Sequence, residues 1–116
     1  MITATWAGTM ARYNEWMNRR LYALCAGIDD AERRRDRGAF FGSIHRSLDH
    51  IVYADLAFLS RFTGDPERVP DLGPTLYEDF GELRAARAAL DARLLEWAAT
   101  LQEAWLAQDL TYTSKV

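Results

Sequence analysis

Apolar residues recur along this chain at steps of three and four, the spacing that lines up one face of an α-helix, over three long stretches. The first stretch predicts a helix over about residues 5–26, with Trp6, Met10, Tyr13, Met17, Leu21 and Leu24 as its apolar stripe and Gly27 as its stop. The second predicts a helix over about residues 39–63. There Ile44, Leu48, Ile51, Val52, Leu59 and Phe62 share a face, Arg46, Asp49 and Ser60 fall largely outside it, and Gly64 closes it. The third predicts a helix over about residues 76–108 with the stripe Leu76, Phe80, Leu83, Leu90, Leu94, Trp97, Leu101 and Trp105, opened by a Thr75-x-x-Glu78 capping box.

Between the first two helices, Ile28 to Gly38 is dense in charge and reads as a solvated connector holding at most a short helical turn. Between the second and third, residues 65–74 hold all three prolines of the chain, a composition that cannot continue a helix and marks an ordered loop. No alternating strand pattern or repeat interrupts this plan, so the expected class is all-α, one helical domain over residues 1–116. Long helices joined by short loops pack as near-antiparallel bundles. Two partners are too few to cover the wide apolar stripe of the third helix, so that face is expected to be an interface, supplied by a fourth helix or by another chain. Truncating Trp97 or Trp105 to alanine would then cost about 3–5 kcal/mol if the site is buried.

Composition narrows the function. Hydrophobic residues make up 49% and charged residues 27% of the 116, which is enough apolar side chain to fold. The net charge of -3 gives no electrostatic reason to bind nucleic acid. No run approaches the ~18 apolar residues of a membrane span, and the start lacks the basic and apolar regions of a signal peptide, so a cytoplasmic location and no membrane partner are expected. The lone cysteine, Cys25, reads as core filling. No phosphate loop, nucleophile elbow or triad is legible, and no catalytic residue is assigned.

Three kinds of residue could still carry chemistry. His45 and His50 are the two histidines. Five positions apart, they lie about 140° apart around a helix and cannot readily share a metal ion, so on spacing alone both read as ordinary half-buried or surface histidines. Asp55 falls in the middle of the second stripe, where a lone carboxylate is costly to bury; Arg20 or Arg87 is the candidate partner, and a structural ion pair is preferred to a catalytic carboxylate. Tyr13, Trp16, Trp97 and Trp105 could line a pocket, but at helical spacing they read as core.

The first helix contains Tyr13-Asn14-Glu15-Trp16, and the second reads Ser43-Ile44, then Leu48, His50-Ile51 and Ala54-Asp55, closing on Arg61-Phe62-Thr63-Gly64. These elements, Y-N-x-W and S-I-x-x-x-L-x-H-I-x-x-A-D, resemble the DinB-like family over most of residues 5–64. The resemblance implies an up-down-down-up four-helix bundle, commonly a homodimer, with a divalent metal such as zinc or nickel held by three histidines. His50 occupies the position of the first of these ligands. The other two belong to an H-x-x-x-H element on a fourth helix, and no histidine follows His50 in this chain, which carries only three long helices. On that reading the chain stops in the connector before the fourth helix.

Related families include thiol-dependent transferases, in which a metal with an open position acidifies a thiol or water. The expected function is therefore a protein derived from a metal-binding, transferase-like enzyme acting with a small-molecule thiol. The alternative is a non-catalytic helical module that self-associates and has lost the metal site.

Overall fold

The computed structural model describes residues 1–65, 69–71, 73 and 75–114. Three long helices dominate: α1 (Ala4–Ala26), α3 (Ile44–Thr63) and α4 (Phe80–Thr100), with two short ones, α2 (Asp30–Arg34) and α5 (Glu103–Leu106). Among the described residues there is no strand, only an isolated bridge between Ala39 and Gly42. No helix is long and apolar enough to cross a membrane. α4 lies in the middle, packed against α1 on one side and α3 on the other. Leu48, Val52, Leu59, Phe80, Leu83 and Leu90 meet Tyr22 and Cys25 to form the core.

Helix ends are set by local chemistry. Thr3 caps α1 by accepting the Trp6 amide at 3.0 Å. α3 begins at Ile44 and not at Ala39, because Gly42 holds a left-handed φ of 86° and Ser43 then caps the helix, its Oγ accepting the Arg46 amide. Gly64 ends α3 with φ 74°, and its N–H reaches the Ser60 carbonyl. The predicted capping box does not form. Thr75 meets Glu78 side chain to side chain, and Asp79 instead caps α4 by accepting the Glu82 amide at 2.9 Å. α4 also ends before Gln108: Leu101 is extended, and α5 restarts after Gln102. Of the proline loop, residues 66–68, 72 and 74 lie outside the described residues.

The connector after α1 is less solvated than its charge suggests. Arg33 is buried with its guanidinium 4.1 Å from the Phe80 ring centroid, and it donates to the carbonyls of Cys25 and Ile28 at the end of α1. A cation there satisfies carbonyls that the helix leaves free and opposes the negative end of its dipole.

The largest departure concerns which face is covered. The stripe Trp6, Met10, Tyr13, Met17, Leu21 and Leu24 is exposed, Leu24 to 71%. α1 instead turns toward α4 the residues one position later, Ala7, Ala11, Asn14, Asn18, Tyr22 and Cys25. One residue is a rotation of about 100°. Conversely, the third-helix stripe expected to stand open is largely covered: Phe80, Leu83 and Leu90 are buried, and Leu94 and Trp97 pack against the core.

Candidate functional site

The one-residue rotation of α1 brings polar groups into the interior, where they must find partners. Asn14 and Asn18, one turn apart, both donate to the Asp91 carboxylate of α4, at 2.9 Å from Asn14 and 3.1–3.2 Å from Asn18. Arg87, one turn before Asp91, donates to it through Nε at 3.0 Å and Nη2 at 2.6 Å. The same Nη2 lies 2.8 Å from Asp55 Oδ2 on α3. Asp55 thus has the structural partner its position called for, and the partner is Arg87. Arg20 stacks over the Trp16 ring instead, 4.8 Å from its centroid.

This cluster ties the three long helices together. Asp91 and Arg87 are buried, whereas Asp55 keeps about a third of its side chain exposed. Two atoms beside it have no hydrogen-bond partner among the described residues: Arg87 Nη1 and the Tyr22 hydroxyl. Burial pushes the Tyr22 phenol up to about 12, against the opposing pull of Arg87. Cys25, also buried, has its thiol pushed up by burial and partly restored by Arg33, which leaves it a poor nucleophile and consistent with core filling.

The histidines part company. His45 is fully buried, with Nε2 2.7 Å from the Tyr77 carbonyl, so it pins the segment before α4 and is not a half-exposed residue. Asp49, placed outside the apolar face by its spacing, does the same work by accepting the Leu76 and Tyr77 amides at 2.9 and 2.8 Å. His50 lies on another flank of α3, half-buried, its ring stacked 3.9 Å from Phe41 and 6.3 Å from Tyr53. It lines a recess of about 160 Å³ with Arg46, Tyr53 and Leu76. Neither of its ring nitrogens is hydrogen-bonded among the described residues.

Among the described residues one imidazole is the ligand that recess offers, because the Asp49 carboxylate is engaged by backbone amides. Among the described residues no three His, Cys, Asp or Glu side chains converge as a metal site would require. The described residues therefore do not by themselves make up a divalent-metal ligand set.

A larger concavity opens elsewhere. A cleft of about 590 Å³ runs between α1, α3, α4 and α5, walled by Trp6, Met10, Phe62, Leu94, Trp97 and Trp105, with Asn14 and Asp55 at its polar part. Trp97 lies parallel to Phe62 at 5.2 Å, and Trp105 stands perpendicular to both. Of these two tryptophans read from spacing as core, Trp97 packs against the core and also walls the cleft, and Trp105 is a half-buried cleft wall.

Sequence reasoning missed Asn14, Asn18 and Asp91 as a unit. The available signal was the i, i+4 spacing of Asn14 with Asn18 and of Arg87 with Asp91, which places each pair on one helix face.

A family model described as the DinB family matches residues 1–115. No curated protein and no solved structure matches the chain.

Proposed function

Because the chain belongs to the DinB family, we propose that it works as a helical association module built on the family's up-down-down-up four-helix plan, two copies meeting along α1. The open stripe on α1 carries this reading. Six large apolar side chains, Trp6 to Leu24, stand exposed on one flank of a helix whose adjacent flank meets α4 through Tyr22 and Cys25. Contiguous apolar patches of several hundred Å² on a folded surface usually mark interfaces. A strip the length of α1 and about 10 Å wide offers roughly 350 Å² per copy, below the ~800 Å² of a standard stable interface, so the dimer is expected to be concentration-dependent.

Sedimentation velocity across a concentration series tests it. Wild type should shift from monomer to dimer, and Met17→Glu with Leu24→Arg should stay monomeric with unchanged melting, since both side chains are exposed. A wild-type monomer at every concentration sinks the proposal.

A second reading keeps the family's metal chemistry, with His50 as one ligand to zinc or nickel and a small-molecule thiol as a reactant. What favours it is the half-buried His50 ring, neither of whose nitrogens is hydrogen-bonded among the described residues. Its further ligands would have to come from outside the residues described, and no reaction step is assigned. Elemental analysis of tag-free protein decides: near-stoichiometric metal, lost in His50→Ala, supports it, and metal-free protein removes it.

A further inference from the structure

The cleft beside the polar cluster has a chemical bias that self-association does not explain. Its lining holds two carboxylates, Asp55 and Asp109, and no arginine, lysine or histidine among the described residues. Behind Asp55 the charge does not cancel: Asp55 and Asp91 share the single guanidinium of Arg87, so two carboxylates face one cation. Asn14 and Asn18 spend their amide N–H groups on Asp91, which fixes that carboxylate and leaves Arg87 as its counter-charge. Asp55 Oδ2 is engaged by Arg87, while its Oδ1 has no hydrogen bond or ion pair among the described residues. A third of the Asp55 side chain is exposed, and Asp55 lines the cleft.

The remaining walls suit the same charge. Phe62, Trp97 and Trp105 form a corner of parallel and perpendicular rings, and Trp6 stands half-exposed at the cleft. Aromatic faces attract cations, tryptophan most strongly, and the attraction grows as water is excluded. An apolar cavity of this size with a few polar groups is the ordinary form of a small-molecule site. We propose that the cleft between α1, α3 and α4 binds an organic cation, an ammonium group on an apolar or aromatic body, with the charge against Asp55 and the body between Trp6, Met10, Trp97 and Trp105. An anionic ligand would meet uncompensated carboxylate charge, and a neutral apolar ligand would take water from Asp55 while giving its second carboxylate oxygen nothing in return.

The test is a titration of tryptophan emission at a protein concentration where sedimentation shows monomer alone, so that its outcome is separate from that of self-association. The probes are 4-phenylbutylamine, cationic at neutral pH, and 4-phenylbutan-1-ol, its neutral counterpart. The amine should give a saturable change, and the alcohol should bind at least ~10-fold more weakly. Asp55→Asn keeps an oxygen for Arg87 while removing the negative charge, and should lose about the same factor for the amine but little for the alcohol. Trp105→Leu leaves Asp55 untouched and should weaken both probes. Equal affinity of amine and alcohol in wild type overturns the proposal, as does the absence of saturable binding. If Asp55→Asn fails to fold by circular dichroism, the wild-type amine-to-alcohol ratio still decides. Amine binding that vanishes as the dimer forms would leave the cation site standing and place it under the second copy; an empty cleft in the monomer would not.

Discussion

Arg87 is the residue on which most polar structure depends. It is 2% exposed and sits between the carboxylates of Asp91 and Asp55. Asp91, itself buried, cannot be left without a cation, whereas Asp55 can turn to water. Arg87→Met should therefore lower the unfolding free energy by about 3–5 kcal/mol, and Arg87→Met with Asp91→Leu should recover much of it, because the pair costs less replaced than broken. Urea unfolding of the three proteins checks this; a single mutant as stable as wild type would mean the cluster is not an ion-pair core. Tyr22 gives a second expectation at the same scale. Its phenol is held up to about 12 in the folded chain against 10.0 in the unfolded chain, so above pH 10 the unfolded state loses the proton first. Stability should fall as pH rises from 10.0 toward about 12 and be unaffected by this group below that window. Tyr22→Phe should flatten the alkaline decline, and because the hydroxyl is buried without a partner, it should cost no stability at neutral pH.

At the scale of elements, the helices were legible and so was much of the buried stripe of α3 and α4, but the covered face of α1 was not. Periodicity finds a helix because apolar side chains must gather, but on α1 two sets of positions one residue apart compete: a large apolar set, and a set mixing alanines, Asn14, Asn18, Tyr22 and Cys25. The small residues allow α1 close approach to α4, and the asparagines satisfy Asp91. A stripe count weighs size and hydropathy, not complementarity with a partner helix. Asp55 was legible because a carboxylate in an apolar run must be paired; Asp49 was not, because its partners are amides of a loop far away in sequence. The cap of α4 shows the same limit, since Thr75 and Asp79 both suit the role and only the backbone path chooses. Asp79→Ala should cost about 1 kcal/mol and Thr75→Ala less than about 0.5 kcal/mol, measured by thermal or urea melts. The reverse order would restore the capping box.

For the whole molecule, the arrangement of three long helices with α4 in the middle sets the order in which structure opens. Leu83, Leu90, Arg87 and Asp91 are buried on α4 between two neighbours, so every opening that frees their surroundings must strip α1 or α3 away first. α1 rests on α4 along one flank alone, through small side chains at its start and the Asn14, Asn18 and Tyr22 contacts further on. Backbone amides exchange through the cheapest opening that exposes them, so protection follows this geometry. Hydrogen exchange by mass spectrometry should show Leu83–Asp91 slowest and the first turns of α1 fastest among the long helices. Raising the protein concentration through the expected dimer range should slow α1 most, since covering the Trp6–Leu24 flank suppresses its local openings directly and reaches α4 only through openings that strip α1 away. Uniform slowing of all three helices would place the contact elsewhere, and no slowing at all would mean that the open flank of α1 is left to water.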